Sequence, residues 1–215
     1  MKGYIQSADH ALLGLINARS LMNKWDDIVD HINDHNLDLL GVTDTWIPAS
    51  LTDLPLTPPT GYSIISVPRP SRRGGGIALL YRSSYDVLKQ TPMKCVSYEM
   101  LEVTIRSSSR MIRLIILYRP PPSKKNGFTV NQFIDEFENL LENKVVSSGD
   151  LVVIGDFNFH WDNPQNVDTV KIRNLMDSYS VMQHVTQSTH TSGHILDWVI
   201  TPTLIKLSTL SWSPR

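Results

Sequence analysis

The stretch Leu151-Val152-Val153-Ile154-Gly155-Asp156-Phe157-Asn158 decides how this chain is read. Its apolar run describes a buried strand, and an acid and an amide follow directly at its end. Side chains alternate along a strand, which sets Asp156 and Asn158 on one face at the sheet edge. In open α/β sheets that edge is where ligands bind. A carboxylate there orients or deprotonates a water, and a neighbouring amide steadies an oxyanion. The pair suggests hydrolysis of a charged ester. The plainer alternative is an Asx turn closing a buried strand.

On either side the chain alternates between strand and helix patterns. Residues 11–18 read as a buried strand with Asn17 near its C-terminal end. Leu21, Trp25, Ile28, Val29 and Ile32 recur at helical spacing and predict an amphipathic helix over 20–35. A second buried strand, 37–43, leads into Asp44-Thr45-Trp46, so that strand, helix and strand form a βαβ-like unit. Residues 62–67 and 77–81 read as one strand pair, and 98–105 and 111–118 as another. Thr129 and Gln132 make a capping box for a helix with Phe133, Phe137, Leu140 and Leu141 on its inner face. A short helix near 170–179 precedes a last strand over 196–201, while residues 1–10 are polar. Mixed strands with helices on separate faces predict an α/β fold built as a two-sheet sandwich.

The bulk numbers bound the rest. A chain of 215 residues, 41% hydrophobic and 19% charged, suits one globular domain over 1–215. Its net charge of −1 advertises no global field for nucleic acid, although a local patch suffices. A single cysteine, Cys95, excludes an internal disulfide and points to a reducing compartment. With no signal peptide and no apolar run near the roughly 20 residues of a membrane span, the expectation is an intracellular protein, nuclear or cytoplasmic, with no membrane partner and not secreted.

Polar groups recur where strands end. Asn17, Asp44, Tyr118, Asp156 and Asn158 follow apolar runs, and Asp197 opens the last strand within His194-Ile195-Leu196-Asp197. Singly, Asn17 reads as a helix cap, Asp44 as a loop cap and Tyr118 as an amphipathic strand end. Together they describe a convergent site. Gly74-Gly75-Gly76 reads as a hairpin turn, since no Gly-Lys-Ser/Thr follows for a P-loop. Arg69, Arg72 and Arg73 before it form a basic loop, either for a DNA backbone or as a solvated turn. His31 and His35 have the spacing of a zinc pair but read as a solvated helix face.

The strings Leu15-Ile16-Asn17-Ala18-Arg19-Ser20-Leu21, Thr43-Asp44-Thr45-Trp46, Gly74-Gly75-Gly76-Ile77-Ala78, Leu117-Tyr118-Arg119-Pro120-Pro121, Gly155-Asp156-Phe157-Asn158 and His194-Ile195-Leu196-Asp197 occur in that order. In this the chain resembles the endonuclease/exonuclease/phosphatase superfamily, specifically the apurinic-like endonuclease domain of non-LTR (LINE-type) retrotransposons. The resemblance implies a four-layered α/β sandwich and Mg²⁺-dependent attack of water on a DNA phosphodiester. It also implies a reverse transcriptase domain in the ancestral polyprotein. It assigns Asp156 to orient the water, Asn158 and Tyr118 to contact the scissile phosphate, Asn17 to order the metal site and Asp44 to ligate Mg²⁺. Asp197 would orient a catalytic histidine. Thr189 would contact substrate; Arg72 and Arg73 are substrate-contact candidates from the basic loop itself, not from the resemblance.

Two departures qualify that reading. The family has Glu where this chain has Asp44, a side chain one methylene shorter, so weakened Mg²⁺ binding is expected. The family's Ser-Asp-His segment has no counterpart here, and no histidine follows His194. The expectation is a C-terminally truncated domain that lacks its last strand and cuts feebly. Two rivals stay open: a non-catalytic DNA-binding or protein-interaction module that keeps the fold, and a small-molecule phosphatase.

Overall fold

The computed structural model describes residues 2–7, 11–51, 55–69, 74–90, 93, 95–106, 110–124, 126–205 and 207–213. Two mixed six-stranded sheets face each other with helices on their outer sides. In chain order the elements are β1 (Lys2–Ser7), β2 (Leu12–Asn17), a 3₁₀ turn (Met22–Lys24), α1 (Trp25–Asp34), β3 (Leu39–Thr43), β4 (Tyr62–Val67), β5 (Ile77–Arg82), β6 (Asp86–Lys89), β7 (Glu99–Arg106), β8 (Met111–Tyr118), α2 (Val130–Val145), β9 (Asp150–Asp156), α3 (Val167–Ser178), β10 (Val181–Gln183), β11 (Asp197–Pro202) and β12 (Leu207–Ser213). The first sheet runs β12-β1-β2-β3-β5-β4 and the second β10-β11-β9-β8-β7-β6. Only β2 with β3 and β8 with β9 pair in parallel among the named pairs.

Strands buried on both faces explain the layering. Leu39 of β3 and Ile77 and Leu79 of β5 face the second sheet, while Leu40, Val42, Ala78 and Leu80 face α1, which packs Ile28 and Ile32 against them. On the far side of the second sheet, α2 buries Phe133, Phe137, Leu140 and Leu141, the face its periodicity predicts. Thr129 caps α2 by accepting the Gln132 N–H at 3.1 Å.

Four differences from the sequence reading have physical causes. β1 and β12 pair with one another, and β1 also pairs with β2, so residues 1–10 hold a strand and a further strand follows the one over 196–201, which the sequence reading took as the last. The sequence of β1 carries no alternation from which to read a strand, and β12 alternates only over the five residues Thr209–Ser213. The short β6 and β10 were likewise missed. Helix α1 begins at Trp25 rather than near 20: Arg19 (φ 49°) and Ser20 (φ 117°) lie outside helical space, Met22–Lys24 form a 3₁₀ turn, and Lys24 (φ −122°, ψ 19°) separates that turn from the helix. Finally, His31 is buried, with its ring 4.6 Å from that of His35, so the pair is not a wholly solvated face.

Candidate active site

Register alone assembles one side of the site. In the second sheet Glu99 of β7 lies opposite Tyr118 of β8, Tyr118 beside Asp156 of β9, and Asp156 opposite Asp197 of β11. Residues paired across neighbouring strands share a face, so this row presents a phenol and two aspartates together. The first sheet brings Asn17 at the end of β2 and Asp44 just beyond β3, whose last residues Asn17 and Thr43 are themselves in register. Asn17, Asp44, Tyr118, Asp156, Asn158 and Asp197 line a single cavity of about 270 Å³ across the two sheet edges.

The two sheets are tied together at its floor. Asn17 Nδ2 donates to Asp156 Oδ2 at 2.5 Å, and the Asn158 N–H donates to Asp156 Oδ1 at 3.1 Å. Asn17 is therefore no helix cap. Burial, together with the nearby Asp44 carboxylate, pushes Asp156 up to about 6, against the opposing pull of those two hydrogen bonds and of Arg19. Burial also raises Tyr118, helped by the Asp44 and Asp156 carboxylates, which keeps it a phenol and hence a donor.

Asp44 sits in left-handed backbone (φ 56°), and its Oδ1 accepts from Gly75 N at 2.7 Å and from Trp46 Nε1 at 2.8 Å. The glycine turn is thus a clamp on the site: Gly76 N donates to Glu99 Oε2 at 2.6 Å, and Glu99 is ion-paired with Arg69. Arg69 also lies over the Tyr118 ring, 5.7 Å from its centroid. Of the basic loop read from the sequence, Arg69 therefore supports the site from inside, while Arg72 and Arg73 lie outside the described residues.

Asn158 reaches the cavity by a different route from the one alternation suggests. β9 ends at Asp156, and Asn158 turns into left-handed backbone (φ 46°). Arg119 fixes that turn. Its N–H bonds Asp156 O at 2.9 Å, its Nη1 donates to the carbonyls of Phe157 (3.2 Å) and Asn158 (3.0 Å), and its own carbonyl accepts Asn158 Nδ2 at 2.8 Å. Phe157 is pinned beneath, stacked on Trp198 at 4.2 Å. Thr189 also lines the cavity, but its Oγ1 accepts the N–H groups of Leu196 (2.8 Å) and Asp197 (3.1 Å), so it anchors the start of β11. Glu99 and Arg119 escaped the sequence reading. The only signal for Glu99 was a charge opening an apolar strand.

Among the described residues no group of three or more His, Cys, Asp or Glu is placed to hold a metal ion. The cavity does offer hard oxygen donors: the Asp44 carboxylate, and Asn17 Oδ1, which is buried with no hydrogen-bond partner. One carboxylate with an amide oxygen suits Mg²⁺, which keeps most of its waters. No described helix is long and apolar enough to cross a membrane.

A carboxyl raised toward neutrality, amide and phenol donors and oxygen ligands at a sheet edge define a hydrolase-type polar site on a two-sheet sandwich. The chain belongs to the endonuclease/exonuclease/phosphatase family, whose model matches residues 14–213. A comparison with curated proteins returns no match. Among solved structures, the chain is similar to the AP endonuclease LMAP from Leishmania major (TM-score 0.68, 12% identity, covering 94% of this chain and 80% of that one). It is also similar to the endonuclease domain of TRAS1, a telomere-specific non-LTR retrotransposon (TM-score 0.67, 9% identity, 89% and 84%). A third is the Neisseria 3′ phosphatase NExo bound to a product DNA hairpin (TM-score 0.61, 14% identity, 89% and 86%). At such identities the likeness is one of fold.

Proposed function

We infer that this chain is a Mg²⁺-dependent DNA endonuclease domain of retrotransposon descent whose 215 residues cut feebly by themselves. The observation that carries the phosphodiesterase reading is the Asn17–Asp156 hydrogen bond, which joins the two sheet edges under one cavity with Asp44 and Tyr118 on its wall. The retrotransposon branch is supported by the order of the sequence motifs.

Each residue has a physical task in hydrolysis. Asp156, raised toward neutrality, accepts a hydrogen bond and then the proton from the attacking water. The Tyr118 phenol and the second Asn158 amide hydrogen donate to the phosphate oxygens as charge develops on them. Asp44 and Asn17 would hold Mg²⁺, which supplies charge neutralisation at the phosphate when bound. The bridging oxygen that leaves needs a proton. No histidine follows His194 in this sequence to be oriented by Asp197. A positioned donor is worth about 10²–10⁴ in rate, so slow cutting is what we infer for these residues acting alone.

Supercoiled-plasmid nicking in Mg²⁺ tests this, comparing the chain with Asp156→Ala and with a form extended beyond Arg215 by a Ser-Asp-His segment. Slow nicking that vanishes in Asp156→Ala, with unchanged circular dichroism, and rises in the extended form is the expected result. Equal nicking by Asp156→Ala would place the activity elsewhere. Silence in all three forms, with DNA still bound, would establish the binding module.

A further inference from the structure

Resting on the phosphodiester reading above, we propose that Arg19 is a phosphate-docking residue of this cavity, holding the DNA backbone at its rim. Among the described residues the lining carries three carboxylates, Asp44, Asp156 and Asp197, and Arg19 is the one lysine or arginine. A wall so acidic repels a phosphodiester, a cost that Mg²⁺ at Asp44 and Asn17 would offset only at the reaction centre, and a planar guanidinium at the rim matches two phosphate oxygens at once.

The backbone around Arg19 is built to hold it there. Arg19 and Ser20 follow β2 with φ of 49° and 117°, a region that residues with a Cβ rarely adopt. Three backbone bonds fasten this turn to the loop that carries Asp44: Ala18 N to Thr43 O at 2.9 Å, Ser20 N to Asp44 O at 3.2 Å and Leu21 N to Thr45 O at 2.8 Å. Arg19 is exposed, while Ala18, Ser20 and Leu21 around it are buried. The turn itself asks for glycine at position 19. A strained arginine with its side chain in solvent, at the mouth of an acidic cavity, is there for its charge. Arg19 lines the same cavity as Asp156 and Asp44, which places its charge near the proposed reaction centre.

Glycine relieves the backbone and removes only the side chain, so Arg19→Gly separates docking from folding. The readouts are the melting temperature, the anisotropy of a short fluorescein-labelled DNA duplex in Mg²⁺ over a salt series, and plasmid nicking. Arg19→Gly is expected to melt at or above the parent temperature and to bind the duplex about tenfold more weakly. Its log–log salt slope should be shallower by about 0.9, the signature of one lost phosphate contact. Arg19→Lys should keep the slope and lose only part of the affinity. Parent-like affinity in Arg19→Gly, or weaker binding with an unchanged slope, overturns the docking role and leaves the phosphodiester reading standing. A parent chain that neither binds the duplex nor nicks the plasmid brings down that reading, and this assignment with it.

Discussion

Asp156 concentrates the conflict between stability and chemistry. Its carboxyl titrates at about 6 in the fold, raised first by burial, against about 3.9 in an unfolded chain. A pKa raised by folding means that the stabilising contribution is complete below about pH 4 and is lost as pH rises through about 6. Two pH units correspond to about 3 kcal/mol, so above neutrality the charged group weakens the domain by a few kcal/mol. Asp156→Asn should therefore raise stability at pH 8 by about 2 kcal/mol and nearly converge with the parent at pH 4, read from urea midpoints at the two pH values. The new amide also finds an acceptor, since Asn17 Oδ1 lacks a partner and Asn17 can turn its amide over. An Asp156→Asn midpoint below the parent's at pH 8 would mean that the carboxylate is better solvated than its burial indicates. Asn17, Tyr118 and Asp156 were legible in the sequence because each is a polar group ending an apolar run. Arg119 was not, because its partners are backbone carbonyls 38 and 39 residues away, which no side-chain pattern announces.

At the scale of elements, the parallel pair β8–β9 sets Tyr118 beside Asp156, and Gly155 makes that pairing possible. A Cβ at position 155 would stand 1.9 Å from the carbonyl oxygen of Leu117, an atom of the neighbouring backbone that has no rotamer to yield. Gly155→Ala should then cost more than about 3 kcal/mol in urea unfolding. Thr129→Ala, which only removes the α2 cap, should cost about 1 kcal/mol. Equal losses would show that β8 and β9 can separate locally without consequence for the fold. Elements rich in periodic apolar residues, such as α2 and β9, were readable because their own sequence encodes what they bury. β12 depends on backbone pairing with β1 at the other end of the sequence, and no local pattern in either strand reports that partner. The start of α1 failed for a related reason. Leu21 keeps helical dihedrals and starts a 3₁₀ turn, but Lys24 (φ −122°, ψ 19°) breaks that turn from the helix, a backbone feature the apolar spacing does not report.

For the whole molecule, the site exists only because two sheets lie at one spacing, since Asn17 and Asp44 come from one and Tyr118, Asp156 and Asp197 from the other. Gly41, in the middle of β3, is where that spacing is set. A Cβ there would meet Ile154 Cδ1 at 2.9 Å and Ile116 Cδ1 at 3.3 Å, both reaching across from the opposite sheet. Those side-chain ends can shift for a methyl group, so Gly41→Ala should be tolerated with a loss below about 1.5 kcal/mol. Gly41→Leu cannot be absorbed that way, and relief comes from the sheets moving apart. Overpacking of this kind costs about 1–3 kcal/mol, which a folded domain can survive. The active site is less forgiving, because a displacement of about 1 Å between reacting groups removes about a hundredfold in rate. The Asn17–Asp156 hydrogen bond is the local reporter of that displacement, and the Asn17 side-chain amide resonances should move toward their solvent-exposed positions in Gly41→Leu while the far-ultraviolet dichroism stays native. Nicking by Gly41→Leu, measured against Gly41→Ala, should fall by about that hundredfold. Retained Asn17 resonances with parent-like nicking would show that the sheets repack at constant spacing, and that the two halves of the site are held by their own loops instead.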